Sequence, residues 1–231
     1  MHFAKTSFYG NVHIGIFAVA TDDYVFCPPS SSKKFLAAFS GFGVEAIPAT
    51  AAQSGLLGIY ICANSNGAIL PKSSSEEERR FFKNLGLNVY VISGKWNAAG
   101  NNICANDKGA ILNQNITNDE IKKIGDCLGV PTERSQLAGY DTVGSVCVAT
   151  NCGFFASNEI SEEEFEFLEE VFGVRGGVGT VNMGVGLVKI GMVANSKGCL
   201  MGEATSGYES VNIQEALGIG RDERKAVFNE K

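Results

Sequence analysis

Cysteine and histidine are the residue types that most often act as nucleophile and base, and this sequence combines them poorly. Its two histidines, His2 and His13, lie near the start of the chain. The whole chain has seven cysteines. Cys199 is the one cysteine that could serve as a late nucleophile, but no histidine follows His13. An unassisted thiol near its ordinary pKa attacks poorly, so a thiol enzyme is an alternative and not the main hypothesis.

Three other cysteines, Cys62, Cys104 and Cys147, recur at similar places in successive stretches of the chain. Such recurrence is typical of core packing, because cysteine behaves as a small apolar side chain. No group of His, Cys, Asp and Glu has the spacing of a metal site. The glycines near residue 176 do not complete G-x-G-x-x-G, because Asn182 stands at the last position. We expect no catalytic residue, no metal and no cofactor.

Composition narrows the class of partner. The chain has 231 residues, 45% of them hydrophobic, and a formal net charge of −6. It can bury a core but lacks the surplus of Lys and Arg that nonspecific nucleic-acid binding needs. No apolar run approaches the ~20 residues of a membrane span, and the first residues lack a signal-peptide pattern. Seven cysteines without a C-x-x-C pair suit a reducing compartment, so we expect a cytoplasmic protein with no membrane partner.

The elements that would position these side chains follow an internal repeat. Glycine is in excess, at 28 of 231 residues. An apolar–Gly–apolar triplet recurs after a helical pattern, with its glycines at Gly43, Gly86, Gly129, Gly173 and Gly218. The steps between them are 43, 43, 44 and 45 residues, which indicates five units of about 44 residues. Each glycine should end a helix in the left-handed conformation.

Helix starts and strands recur in phase with these glycines. A hydroxyl residue precedes Glu by three positions, as in a capping box, at Ser75/Glu78, Thr117/Glu120, Ser161/Glu164 and Ser206/Glu209. Before each helix, apolar residues flank a stretch rich in Asn, Asp and Gly, which predicts a β-hairpin. A third strand is predicted after four of the helices, at residues 45–49, 88–92, 132–136 and 177–181.

The fifth helix has no such strand after it, whereas a spare strand is predicted at residues 3–8. We therefore expect the N-terminus to fill the missing place and close a ring. The sequence predicts one α/β, propeller-like domain over residues 1–219. Its units lie at about 9–50, 51–93, 94–137, 138–182 and 183–219, with residues 1–8 closing the ring. Residues 220–231 are predicted to be a short charged tail.

A second periodic set lies five residues before the alanine of each hairpin. It consists of Gly15, Gly58, Gly100, Gly144 and Lys189. Equivalent turns of a ring collect on one face, so the residues after them should form a ring of exposed groups, namely Ile16, Ile59, Asn101, Ser145 and Ile190. Two interpretations stay open, which are strand-entry geometry alone and a docking face for another protein.

Several segments resemble the archaeal and eukaryotic translation initiation factor six family of ribosome anti-association factors. They are Gly179-Thr180-Val181-Asn182-x-Gly184, Gly191-Met192-Val193-x-Asn195, Ile14-Gly15-x-Phe17-Ala18, and Gly100-Asn101 before Cys104-x-Asn106-Asp107. The resemblance covers residues 3 to about 219. It implies a pentein fold, a five-bladed α/β propeller with pseudo-fivefold symmetry, which agrees with the five units counted above. It implies no enzyme activity.

The resemblance also implies a function and partners. Members bind the inter-subunit face of the large ribosomal subunit, at ribosomal proteins beside the sarcin–ricin loop, and sterically block the small subunit. They also act in late maturation of the large subunit and are released with the help of a GTPase partner. An acidic ring suits basic ribosomal proteins, with rRNA contacts secondary. We expect a monomer of the archaeal type.

The site residues that the resemblance implies lie in the periodic turns. Gly100 and Asn101 match the family's ribosome-contact turn. On the same face we expect Gly15, Ile16, Gly58, Ile59, Ser145 and Val146. The alternative function belongs to other penteins, enzymes that modify guanidine groups with a late cysteine nucleophile, for which Cys199 is the candidate.

Overall fold

The computed structural model of this chain describes residues 2–218. The strands within them are β1 (His2–Thr6), β2 (Val19–Ala20), β3 (Val25–Cys27), β4 (Ala46–Pro48), β5 (Cys62–Ala63), β6 (Gly67–Pro71), β7 (Asn88–Ile92), β8 (Ile103–Ala105), β9 (Ala110–Asn113), β10 (Thr132–Ser135), β11 (Cys147–Ala149), β12 (Phe154–Ser157), β13 (Gly176–Gly179), β14 (Met192–Ala194) and β15 (Gly198–Gly202). The α-helices are α1 (Lys33–Ala37), α2 (Leu57–Tyr60), α3 (Glu76–Asn84), α4 (Ala99–Asn102), α5 (Asn118–Leu128), α6 (Val143–Val146), α7 (Glu162–Phe172) and α8 (Gly207–Ala216).

The strands form five three-stranded sheets of the same design. In order, they are β2–β3–β4, β5–β6–β7, β8–β9–β10, β11–β12–β13 and β14–β15–β1. In each sheet the middle strand pairs antiparallel with the strand before it and parallel with the third strand. Every residue of the five middle strands is buried. In the first four sheets a helical segment connects the middle strand to the third, as parallel pairing requires.

Strand β1 occupies the third place in the fifth sheet. It pairs in parallel with β15, from His2 opposite Gly198 to Thr6 opposite Gly202. The sequence predicts this strand at residues 3–8, and the structure has it two residues shorter at its end and one residue earlier at its start. The unit boundaries drawn from the sequence stay a prediction, and the tail at residues 220–231 lies outside the described residues.

In the last four units a long helix ends at the glycine that the repeat predicts, and in the first unit a 3₁₀ helix, Ala38–Phe42, follows α1 and ends there. Gly43, Gly86, Gly129, Gly173 and Gly218 have φ values of 70°, 86°, 65°, 58° and 62°, in the left-handed region that favours glycine. The capping boxes at Ser75, Ser161 and Ser206 are confirmed. The box at Thr117 is only half formed, because its hydroxyl accepts from Glu120 N–H while the Glu120 carboxylate points elsewhere.

Short helical elements line the axis and close the ring. Two are 3₁₀ turns, Ile14–Ile16 and Val188–Gly191, and the others are α2, α4 and α6. Each contacts the next around the ring, and the last contacts the first. The five hydrophobic cores lie between neighbouring sheets. The predicted α/β ring of five repeats is therefore confirmed. We call the surface formed by these short elements the axial face.

Candidate docking face

Glycines allow the short elements of the axial face to pack backbone against backbone. A Cβ atom on Gly58 would lie 1.8 Å from the carbonyl oxygen of Gly15, and one on Gly15 would lie 1.8 Å from that of Lys189. A Cβ atom on Gly100 would lie 2.1 Å from the carbonyl oxygen of Gly58, and one on Gly144 would lie 2.4 Å from that of Gly100. Close approach of the backbones therefore requires glycine at all four positions, whatever else this face does.

Lys189 stands where the fifth glycine would be. Its half-buried side chain turns across the axis, and its Nζ donates a hydrogen bond to the carbonyl oxygen of Gly100 at 3.0 Å. Gly100 belongs to a unit that is not adjacent in the ring, so this amine ties two separate turns together. The departure from the glycine pattern thus has a structural role.

The predicted site residues differ in how much surface they offer. Ile16, Ile59, Asn101 and Ile190 are half-buried. The prediction that Ser145 is exposed is wrong. Only 7% of its surface is accessible, because α6 packs between its neighbours at the axis. Val146 is fully buried in a core cluster, and its side chain cannot reach a partner. Gly15, Gly58 and Gly100 are buried as well. Asn101 is the polar member, and its side chain makes no hydrogen bond to any described residue.

A cavity of about 60 Å³ lies along the axis, lined by the first strands of the five sheets. Cys62, Cys104, Cys147 and Lys189 face it. Burial raises the pKa of the Cys62 thiol to about 12, whereas a hydrogen bond with Cys147 lowers the pKa of the Cys104 thiol. All three cysteines are buried, in agreement with a packing role. Relative to the hairpin alanine that ends each strand, Cys62 and Cys104 lie one residue before it, whereas Cys147 lies two residues before it.

The alternative nucleophile, Cys199, is fully buried in the middle strand β15. Burial raises its thiol pKa far above the usual value, and the thiol donates only a long hydrogen bond to the Leu200 carbonyl oxygen at 3.7 Å. Between residues 2 and 218 no group of three His, Cys, Asp or Glu could hold a metal ion. The structure thus offers this cysteine neither access nor an activated state.

Turns at the rim of the axial face carry the chain from each third strand to the next short element. We call residues 8–11, 51–54, 93–98, 137–140 and 181–185 the rim turns. Non-glycine residues adopt positive φ in four of them, at Tyr9, Ala52, Gln53, Ala138, Asn182 and Met183. Such conformations cost free energy outside glycine, so something must hold them.

The glutamates predicted as helix caps also hold these turns. Glu78 accepts from the N–H groups of Ala52 and Gln53 at 3.1 and 2.9 Å. Glu209 accepts from the N–H groups of Met183 and Gly184 at 3.2 and 2.9 Å.

Two more units use the same contact. Glu164 reaches Ala138 N–H, and Glu120 reaches the N–H groups of Ser93 and Gly94. The sequence does not reveal this second role, because the turn and the glutamate lie some 25 residues apart and only the fold brings them together.

The segment that carries the family resemblance is part of this architecture. Asn182 donates from Nδ2 to the carbonyl oxygen of Val12 at 3.0 Å, and its N–H donates to the Thr205 hydroxyl at 3.2 Å. Thr180 donates to the Glu209 carboxylate at 2.7 Å. The motif joins the fourth and fifth units to the start of the chain. In the part of the chain that the structure describes, no helix has the length and apolar character needed to cross a membrane.

Comparison with known proteins agrees with this architecture. The sequence model of the eIF-6 family matches residues 3–216. Translation initiation factor 6 of Pyrococcus abyssi (strain GE5 / Orsay) is 38% identical over 226 residues, which cover 95% of this chain and 100% of that protein. The factor of Saccharolobus islandicus (strain L.S.2.15 / Lassen #1) is 39% identical over 224 residues, 94% of this chain and 100% of its own. The factor of Pyrobaculum aerophilum is 36% identical over 211 residues, which cover 91% of this chain and 96% of that protein.

Proposed function

The chain belongs to the eIF-6 family, and from this membership we propose that it binds the large ribosomal subunit on the inter-subunit face. Bound there, it sterically prevents association with the small subunit. Family membership carries the proposal, because the match covers nearly the whole described ring and the relatives are translation initiation factors over their full length. The function is steric and needs no catalytic residue and no cofactor.

The structure supports such a blocking role because its ring is held rigidly. The five short elements form a closed ring at the axis, and buried carboxylates fix the rim turns. A preorganised surface loses little conformational entropy on binding. The axial face is therefore a suitable docking face, with Asn101 as its uncommitted polar side chain and Ile16 and Ile59 as partly exposed apolar neighbours.

The charge of the chain favours protein over RNA as the main partner. A formal net charge of −6 repels phosphate and attracts basic proteins. We propose ribosomal proteins near the sarcin–ricin loop as the main contacts, with rRNA contacts secondary. As in the family, we propose a role in late maturation of the large subunit, release with the help of a GTPase partner, and a cytoplasmic location.

Sucrose-gradient sedimentation with purified ribosomal subunits tests the proposal. The protein should travel with the large subunit and lower the yield of joined ribosomes. Sedimentation with the small subunit alone, or an unchanged yield of joined ribosomes, would contradict it.

Asn101→Asp tests the axial face directly. The variant should weaken binding roughly tenfold, because it replaces an amide that can donate by a negatively charged carboxylate that cannot. It should leave the melting temperature nearly unchanged. Asn84→Asp is the matched control, since Asn84 is exposed at the far end of α3. Equal effects of the two variants on affinity would show that charge alone matters and that the axial face is not the docking face.

A further inference from the structure

The rim turns of the axial face are not alike in their exposed side chains. In three consecutive units around the ring they carry large apolar residues, Tyr140, Met183 and Tyr9, with 43%, 80% and 71% of their surface exposed. The other two turns carry Gln53, which is exposed, and Lys95, whose Nζ lies 4.9 Å from the centre of the Trp96 ring. We call Tyr140, Met183 and Tyr9 the apolar arc.

Folding does not explain Met183. Its φ is +63°, where an unbranched apolar side chain is unfavourable and Asn or Gly is not. Its side chain belongs to none of the core clusters among the described residues. Met183 thus combines an unfavourable backbone conformation with an exposed apolar side chain, and no packing in the core compensates for either. Strain and exposed apolar surface together are typical of a binding residue.

Tyr9 shows the same combination. It has φ +51° and an exposed ring that is nonetheless fixed, since its hydroxyl donates to the carbonyl oxygen of Ser30 and its ring packs edge-on against Phe8 at 5.0 Å. The Met183 turn is fixed as well, by the Glu209 carboxylate. These are rigid apolar anchors, the kind that contributes most binding energy per residue.

Anionic groups border the arc. Asp141 follows Tyr140 directly, and its carboxylate accepts hydrogen bonds from the side-chain amides of Gln114, Gln136 and Asn115 at 2.7 to 2.9 Å. Glu203 lies beside the other end, where it accepts from the Ser7 hydroxyl at 2.8 Å and pairs with the exposed Lys34 amine at 3.3 Å. Carboxylates next to apolar anchors favour a partner that offers Lys or Arg around an apolar hollow, and they disfavour phosphate.

We propose that the apolar arc of Tyr140, Met183 and Tyr9 is the anchor of the docking face and inserts into an apolar hollow bordered by basic residues on a protein of the large ribosomal subunit. The inference rests on the proposed function and adds to it the place and the chemistry of the main contact. It sets that contact off the axis, on one side of the ring, and not at the central glycines.

Two matched substitutions test the place. Met183→Asn removes the apolar side chain and introduces a residue that tolerates positive φ, so the variant should fold at least as stably as the parent. Gln53→Asn introduces the same residue at φ +56° in the turn of the second unit, where it replaces a polar side chain. Met183→Asn should weaken binding to purified large subunits roughly tenfold, and Gln53→Asn should change it less than twofold.

The outcomes separate this inference from the proposed function. If the parent protein does not sediment with the large subunit, both fall. If the parent binds and Met183→Asn binds equally well, or if Gln53→Asn loses as much affinity, only the apolar arc is overturned.

A photo-cross-linking residue at position 183 tests the partner class. We expect its adduct on the large subunit to be with a ribosomal protein. An adduct mainly with rRNA would overturn the proposed chemistry of the contact.

Discussion

Ser74 has a side chain that the fold leaves unsatisfied. It is 4% exposed, and its buried hydroxyl has no hydrogen-bond partner among the described residues. It lies just before a helix cap, where its N–H donates to the carbonyl oxygen three residues earlier. At the equivalent places the third and fourth units have Ile116 and Ile160, which make the same backbone bond and pack apolar side chains, whereas the first and fifth units have Ser31 and Thr205. The buried hydroxyl of Ser31 also has no hydrogen-bond partner among the described residues, so a hydroxyl at this place is unfavourable unless another side chain pairs with it.

Ser74→Ala should stabilise the protein by about 1 kcal/mol, since it removes a buried polar group that has no partner. The melting temperature should rise by roughly 2–4 °C for a chain of this size, as thermal denaturation would measure. The matched control is Thr205→Val, because Thr205 occupies the same place but its hydroxyl pairs with Asn182. That variant should lose stability. A Ser74→Ala protein that melts earlier than the parent would mean that the hydroxyl is bonded in solution.

At the scale of elements, one carboxylate joins a helix start to a distant turn. Glu209 accepts from Ser206 N–H in the capping box and from the N–H groups of Met183 and Gly184 in the rim turn. Burial disfavours its ionised form, but these bonds and that from Thr180 outweigh burial and lower its pKa to about 2. The folded state therefore binds its proton less tightly than the unfolded state does, and the ionised carboxylate stabilises the fold.

Glu209→Gln should lower the stability at neutral pH by about 2 kcal/mol, because charge-assisted bonds to partly buried N–H groups are lost. The sign of the pH effect follows from the lowered pKa. The contribution is complete above the ordinary glutamate pKa of 4.5 and is lost as the pH falls from there toward 2. Melting curves of parent and variant should therefore converge across that window.

Glu166→Gln provides the control for that pH series. Glu166 is exposed on α7, so its variant should melt with the parent at every pH. A constant difference between parent and Glu209→Gln from neutral pH to pH 2 would show that the charge is not what holds the turn.

The elements themselves could largely be predicted from the sequence, because their signals are local. The glycine that ends each helix and the hydroxyl that starts it stand within one turn of the residues they serve, and β7 forms at the predicted residues 88–92. The candidate site could not be predicted in the same way. Whether Val146 is buried or Met183 exposed depends on how five units meet at an axis, and no local pattern records that. Position in the repeat places the predicted residues on one face but does not show which of their side chains are accessible.

At the scale of the whole molecule, polar side chains join all five units on the face opposite the axial face. Asn151 donates to the carboxylates of Asp22 and Asp107 at 2.9 and 2.6 Å. Asp22 in turn accepts from Ser196 N–H, and Asp107 accepts from Ser65 N–H, both at 2.8 Å. With the packed turns at the other end, the ring is held at both faces, so it can act as a rigid steric block.

The closure of that ring depends on β1, which supplies the third strand of the fifth sheet from the other end of the chain. Phe3 packs into the core beside β15, and Phe8 stacks on Phe17 at 4.2 Å between ring centres. Deletion of residues 1–8 should therefore remove a strand and two core contacts at once. The loss should be comparable to the roughly 5–15 kcal/mol that stabilises a whole domain, and cooperative thermal unfolding should disappear.

Complementation distinguishes a missing strand from a general defect. A synthetic peptide of residues 1–8 has the five residues that pair with β15, so its addition should restore cooperative unfolding of the truncated chain in a concentration-dependent way. A peptide of the same composition in scrambled order should not, because the apolar side chains would then face solvent. If the truncated chain melts at the parent's temperature without any peptide, the ring does not need this strand, and rigidity must come from the two faces alone.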